Sequence, residues 1–386
     1  MPKFNVTPNR RNPNNLNKWT WYPKDVLPMW VADMDFPAPK SILDTLHKAV
    51  EQGVLGYELP SLALKETVAA RMAALYKWKI KPEAVVAVTG IVSGFSAAAR
   101  FAASRKKGVL LQTPVYNEFH EIKNNLNVTQ LNAPFIKRVD GNLLRYEIDW
   151  DVFAKQAQRA GMFLLCNPHN PLGILFARKD LLKMAQICLE NKVLIVSDEI
   201  HSELLLDGNK FTPLATLSRE IERNVITLIA PSKTFNVPGL FCGFAVIPND
   251  ELRQRYEQEV NHMRLHVSSM GLFAAQTAFS GSCDSWLNDL RLHLTANRDF
   301  LVNYVTRYMP NVRTTLPAAT YLGWLDFTQT SIADPYNFFL KRAKVALSDG
   351  KIFGAEGKGH VRINFGTSRA ILKDGLERMR SAMENA

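Results

Sequence analysis

The chain is 386 residues long, 47% hydrophobic and 22% charged, with a formal net charge of +11. That length is too great for one small core and predicts two domains, or one large α/β domain with a smaller attachment. The basic residues are scattered, the densest clusters (Arg105–Lys107, Lys137–Arg138) are short, and no zinc-finger spacing or RNA-binding aromatic motif accompanies them, so no nucleic-acid partner is expected.

The N-terminus, MPKFNVTPNRRNPNNLNKWTW, is polar and Asn-rich and lacks the apolar core of a signal peptide. The longest uncharged run, Ala84–Ala99, is too short and too polar for a membrane span. From about residue 60, short apolar runs alternate with amphipathic stretches. Val85–Val88 precedes a helix-like GFSAAARFAAS, Val109–Leu111 precedes a Pro-Tyr turn, and Phe163–Cys166 precedes NPHNPLG. Lys179–Glu190 has helical spacing, Val193–Ser197 runs into DEIH, Val225–Ile229 leads to Lys233, and Gly243–Ile247 is a last buried strand. This alternation predicts a mostly parallel sheet covered on both faces, with ligands beyond the carboxyl ends of its strands. A long helix over about Ser285–Tyr308, strands in TYLGWLDF and HVRINF, and a final helix from about Ser368 predict a smaller α+β unit. The expected division is an N-terminal segment (1–50) packing with that unit, a large domain (51–284) and a C-terminal small domain (285–386). Cys166, Cys188, Cys242 and Cys283 are widely spaced without a C-x-x-C, which argues against a disulfide framework or zinc site and suits a reducing cytoplasm. His262 and His266 lack the Glu of a H-E-x-x-H motif, so no metal is expected there.

The loops at the strand ends carry the chemistry. Thr89–Gly94 joins a strand to a helix, a turn whose free N–H groups suit a phosphate but which matches no nucleotide-binding glycine pattern. Tyr116 could stack on a flat ligand, although by itself it reads equally as a rim tyrosine. Asn170 lies between prolines, where an Asn also suits a turn. Asp198 follows five apolar and small residues; it either caps the next helix or is buried and needs a partner such as a protonated ring nitrogen. Lys233 follows VITLIA, where a lysine either points to water or is partly desolvated and so becomes a nucleophile and base. A phosphate seat, an aromatic plate, an amide, a carboxylate and a lysine together meet the needs of pyridoxal 5'-phosphate.

Longer motifs then carry a resemblance. LPMWVADMDFPAP (27–39), GVLGY (53–57), TPVYNEF (113–119), CNPHNPLG (166–173), VSDEIHSEL (196–204), APSKTFNVPGL (230–240) and FGAEGKGHVRINFGTSR (353–369) cover nearly the whole chain. They resemble the fold-type I pyridoxal-phosphate enzymes of the class I/II aminotransferase group, and within it the MalY/PatB-type cystathionine β-lyases, or C–S lyases. The resemblance implies an α/β fold with a mostly parallel seven-stranded sheet in the large domain and a small domain built from both chain ends. It implies that Lys233 joins the cofactor covalently, Asp198 pairs with the ring nitrogen, Asn170 meets the ring hydroxyl and Tyr116 stacks on the ring. The amides of Ile91 and Val92 and the hydroxyl of Ser232 would hold the phosphate. Tyr57 would reach the cofactor of a neighbouring subunit, which implies a homodimer with shared sites. Arg362 would clamp the substrate carboxylate, approached also by the Ala32 amide, with Trp30 shaping the substrate pocket. Phe241 stands where many aminotransferases of the group have a phosphate-binding arginine, and His201 where many have a tyrosine at the ring hydroxyl; both differences resemble the lyase branch. Leu172 replaces the more usual Thr and is neutral. The implied reaction is cleavage of L-cystathionine or a related cysteine S-conjugate to thiol, pyruvate and ammonia. The alternatives are an aminotransferase, and a regulatory or interaction protein on the same fold.

Overall fold

The computed structural model describes residues 4, 6–12, 14 and 16–385. Met1–Lys3, Asn5, Pro13 and Asn15, part of the N-terminal stretch read above, lie outside the described residues, as does Ala386. No helix among the described residues is long and apolar enough to cross a membrane.

The strands of the two main sheets are β1 (Val85–Val88), β2 (Gly108–Leu111), β3 (Gln130–Asn132), β4 (Phe135–Asp140), β5 (Leu143–Ile148), β6 (Ala160–Cys166), β7 (Leu194–Asp198), β8 (Val225–Ile229), β9 (Gly243–Val246), β10 (Arg313–Thr315), β11 (Leu322–Asp326), β12 (Ser348–Asp349) and β13 (His360–Asn364). The larger sheet has seven strands in the order β1-β9-β8-β7-β6-β2-β3. It is parallel except at β9, which runs antiparallel to both β1 and β8. Every residue of β6, β7 and β8 is buried, as expected of central parallel strands covered by helices on both faces and therefore rich in Val, Ile and Leu rather than alternating. The order doubles back, with β6 and β2 on one side of β7 and β8 on the other, so the loops after these parallel strands open into one crevice.

The second sheet has the order β12-β13-β11-β10-β5-β4. Its last two strands form the hairpin FIKRVDGNLLRYEI, turned at Gly141, whose φ of 58° the missing Cβ permits. The hairpin comes from the middle of the chain, yet β5 pairs in parallel with β10, so the C-terminal strands recruit it.

Residues 27–36 cross between the sheets. Leu27–Pro28 pairs in parallel with Val345–Ala346. Asn364 Nδ2 donates to the carbonyls of Val31 and Asp33, both at 2.6 Å. Asn236 closes a backbone-like pair with Met34, accepting from its N–H at 2.9 Å and donating to its carbonyl at 3.0 Å, and also donates to Phe36 O at 2.7 Å. The following helix, Lys40–Glu51, packs on Ser269–Phe279. The beginning of the chain is thus laid over the carboxyl ends of the large sheet.

Candidate active site

Lys233 Nζ donates to the carbonyl of Ala32 at 2.7 Å. The lysine sits in the single helical turn Pro231–Thr234 just after β8, and the buried strand that precedes this turn delivers its half-buried side chain to the cavity wall. Burial first, and then the nearby Arg362 charge, bring its amine down to about 8. The expectation that the lysine is desolvated therefore holds in the structure; the one that it simply marks a strand end does not.

Asp198 ends β7 on the next strand and is buried. Burial pushes its carboxyl up to about 7, against the opposing pulls of the Ile200 amide and the Lys233 charge. Its Oδ1 accepts from the Ile200 N–H at 3.1 Å, and no helix follows for it to cap. A buried carboxylate held this loosely fits a cationic partner in the cavity.

Arg362 on β13 is buried and reaches the same space. Its Nη1 donates to Asn170 Oδ1 at 3.0 Å, and its Nη2 to Trp30 O at 2.9 Å and Ser348 Oγ at 3.2 Å. The guanidinium lies 4.9 Å from the centre of the Phe353 ring, a cation–π contact that fixes its plane. Its buried Nε has no partner. Burial lowers its pKa to about 10, so it stays charged near neutrality. Ser348 Oγ in turn donates to Trp30 O at 2.8 Å, and Tyr321 Oη to Ala32 O at 2.8 Å.

At the opposite end, the helix Ile91–Ala102 begins after Gly90, whose φ of 144° frees the turn and which offers no side chain to cap the first amides. These N–H groups and the helix dipole face the cavity as an anion seat. Thr89 and Ser93 close the turn, hydroxyl to hydroxyl at 2.9 Å.

The cavity between these groups measures about 690 Å³ and is walled by Trp30, Ala32, Ile91, Val92, Tyr116, Asn170, Asp198, His201, Ser232, Lys233 and Arg362. Every site residue expected from the sequence is therefore on one wall, apart from Tyr57. That tyrosine is fully solvent-exposed at 101% and stands outside this chain's own cavity. Tyr116 is half-buried, its phenol pushed up to about 12 by burial and then by the Glu118 charge. His201 packs edge-on against Tyr321, and burial drives its imidazole down to about 3, so it is neutral. For Ala32 the carbonyl, rather than the amide named above, makes the described contacts, to Lys233 and Tyr321.

The residues present fit pyridoxal phosphate: a cleft of sufficient volume, unfilled amides for the phosphate, a buried acid for the ring nitrogen, and an amine with a depressed pKa between them. Ser348, Tyr321, Phe353, Asn236 and Asn364 escaped the sequence reading. Phe353 and Asn364 lie in FGAEGKGHVRINFGTSR, Asn236 in APSKTFNVPGL and Tyr321 in TYLGWLDF, so all four stood in stretches already singled out. Nothing in the sequence marks Ser348. Phe241, at the cavity mouth, adopts φ 46° while 67% exposed, a left-handed conformation that costs a non-glycine residue about 1 kcal/mol or more.

The family model "Aminotransferase class I and II" matches residues 24–379. The chain is 36% identical to the cystathionine beta-lyase PatB of Bacillus subtilis, over 93% of each chain. Its fold superposes on cystalysin of Treponema denticola, which contains pyridoxal 5'-phosphate, with a TM-score of 0.94 at 27% identity, covering 100% of this chain and 99% of that one. It superposes likewise on the PLP-bound C-S lyase of Staphylococcus hominis, with a TM-score of 0.90 at 27% identity over 99% and 98% of the two chains.

Proposed function

Since the chain belongs to the aminotransferase class I and II family, we propose that it is a pyridoxal-phosphate-dependent carbon–sulfur lyase that cleaves L-cystathionine or a related cysteine S-conjugate. The observation that carries this reading is the convergence of Lys233, Asp198, Asn170 and Arg362 on one cavity beside an uncapped helix N-terminus. Similarity to PatB supports the choice of lyase within the family.

When bound, pyridoxal phosphate supplies a cationic ring that takes up the electron pair left by a departing Cα proton. Asp198 keeps that ring protonated, a task its buried, loosely held carboxylate suits. Arg362 grips the α-carboxylate of the amino acid and sets which bond faces the ring; Phe353 below it and Asn170 beside it hold the fork in position. Lys233 removes the Cα proton. An amine with a pKa of about 8 is partly unprotonated near neutrality, whereas one at 10.5 is not. The Ala32 carbonyl holds the Lys233 amine within the cavity. Expulsion of the thiolate from Cβ leaves a three-carbon remainder that takes up water and yields pyruvate and ammonia.

The active unit in this reading is a homodimer. Val50, Val54, Leu55, Tyr57, Leu59 and Leu62 are all exposed within one short stretch, an apolar run that a second copy would cover, with Tyr57 completing the partner's site. The four cysteines are free, buried thiols, which supports a cytoplasmic setting.

The test is purified holoenzyme with L-cystathionine and no oxo-acid acceptor, following pyruvate and thiol together. Equal amounts over many turnovers are expected. No product here, with turnover restored by a 2-oxo acid and another amino donor, would move the protein to the aminotransferases.

A further inference from the structure

The charged side chains on the cavity wall are Glu118, Asp198, Lys233 and Arg362. The last three have tasks in the reading above; Glu118 does not. It sits in the first turn of the helix Asn117–Leu126, immediately beyond Tyr116. It is half-buried, and its carboxylate accepts from the neighbouring Asn117 Nδ2 at 2.9 Å. Among the described residues, no lysine or arginine pairs with it.

Its position follows from its neighbours. After burial itself, the Glu118 charge is the strongest influence on the Tyr116 phenol, ahead of Arg362 and Asp198. The carboxylate shares the cavity wall with the tyrosine that would cover the cofactor ring, and it is more exposed than the buried Arg362. The helix that bears it packs on the turn Gly350–Phe353, tied by the hydrogen bond from Val115 N to Phe353 O at 2.8 Å and by His120 at 3.0 Å from the same carbonyl. That turn supplies Ile352, 48% exposed, to the same cavity, and Phe241 adds a second apolar group at the mouth. The outer part of the cavity thus combines one unpaired carboxylate with apolar surface. The cations, Lys233 and Arg362, are committed to the inner end.

We propose that Glu118 selects the far end of the substrate side chain: the site takes amino acids whose departing group carries an ammonium on an apolar stem, and disfavours those ending in a lone carboxylate. This rests on the cavity being an amino-acid site. It adds the chemical class of the leaving group, which neither the resemblance nor the compared proteins assign to a residue. Cystathionine qualifies through the amino group of its homocysteine half, whose own carboxylate can stay in water. The attraction is that of a partly exposed pair, so it amounts to a modest factor that salt erodes.

The experiment measures equilibrium binding to the holoenzyme of L-lysine, L-norleucine and L-2-aminoadipate, which share a chain of similar length and differ in terminal charge. None of them needs to be eliminated, so the result is independent of whether the protein is a lyase. Wild type is expected to prefer lysine to aminoadipate. Glu118→Gln should weaken lysine by about fivefold, leave norleucine unchanged and strengthen aminoadipate, and 0.5 M salt (roughly a 4 Å screening length) should shrink the wild-type preference. Equal changes for all three ligands in Glu118→Gln, no wild-type preference between lysine and aminoadipate, or no binding of any of the three would each overturn the proposal. Retained discrimination in a protein that releases no thiol would overturn the lyase reading and leave this one standing.

Discussion

Replacing the lysine at the centre of the site should make the cofactor-free protein more stable, not less. Lys233 is held at about 8 instead of the ordinary 10.5, which corresponds to about 3 kcal/mol against its charged form. The side chain is only partly buried and lines a cavity that admits water, so about 1–2 kcal/mol is the working figure after screening. Below about pH 8 the folded amine carries a charge its surroundings disfavour, while the unfolded amine does not suffer this, and the penalty is full. Between 8 and 10.5 the unfolded chain binds more protons than the folded one, so stability climbs with pH; above 10.5 the penalty is gone. Lys233→Met removes the charge and keeps an unbranched side chain. The Ala32 carbonyl it abandons is not orphaned, because Tyr321 still donates to it at 2.8 Å. Denaturant unfolding of the two apoproteins from pH 7 to 10 is the assay. The variant should be more stable by about 1–2 kcal/mol at pH 7, with the difference fading toward pH 10. A variant less stable at pH 7, or a difference that does not change with pH, would refute the desolvation argument.

Asp198→Asn should weaken cofactor binding and lower kcat by about a hundredfold or more, because the ring nitrogen loses its anionic partner. In the apoprotein, the carboxyl raised from 3.8 to about 7 contributes stability below the lower value that is lost as pH rises through the upper one; the Asn variant should flatten that slope in a pH series of unfolding midpoints. Arg362→Lys keeps the charge and loses the planar fork, so KM for the amino acid should rise about tenfold or more with cofactor loading unchanged; an unaltered KM would count against the clamp. Asn236→Ala removes three hydrogen bonds to Met34 and Phe36 and places alanine at a φ of 56°, for a loss of about 2 kcal/mol in denaturant unfolding. Mixing Lys233→Ala with Tyr57→Ala subunits, each inactive alone, should restore activity toward about a quarter of wild type, since half of the random dimers would hold one whole site. Hybrids that form without regaining activity would remove Tyr57 from the partner's site.

Lys233, Asp198, Asn170 and Tyr116 were legible because each follows a short apolar run. In a parallel sheet the residue after such a run has only one place to go, the carboxyl edge. Arg362 was not legible in that way: it is inside a fully buried strand of the second sheet, and only the resemblance singled it out from the other arginines. The hairpin at 135–148 shows the limit from another side. Its two-residue Gly141-Asn142 turn is of a hairpin type, but the sheet it joins is decided by Arg313–Thr315, far along the chain.

The segment from Trp30 to Met34 was the least readable part, for a physical reason. Its carbonyls at 30, 31, 32, 33 and 34 accept from Arg362, Ser348, Asn364, Lys233, Tyr321 and Asn236, side chains drawn from three separate regions of the chain. Backbone acceptors are the same for every residue type, so the segment's own letters say nothing about which groups will find them. The pattern has a consequence for function. Arg362, which would hold the substrate carboxylate, and Lys233, which would move its proton, are both tied to this one strip of backbone, two residues apart. A shift of the strip therefore moves clamp and base together, keeping their relative placement where a separate support for each would let it drift. The conserved quantity is the geometry between the two groups, and the N-terminal crossing is the part of the fold that sets it.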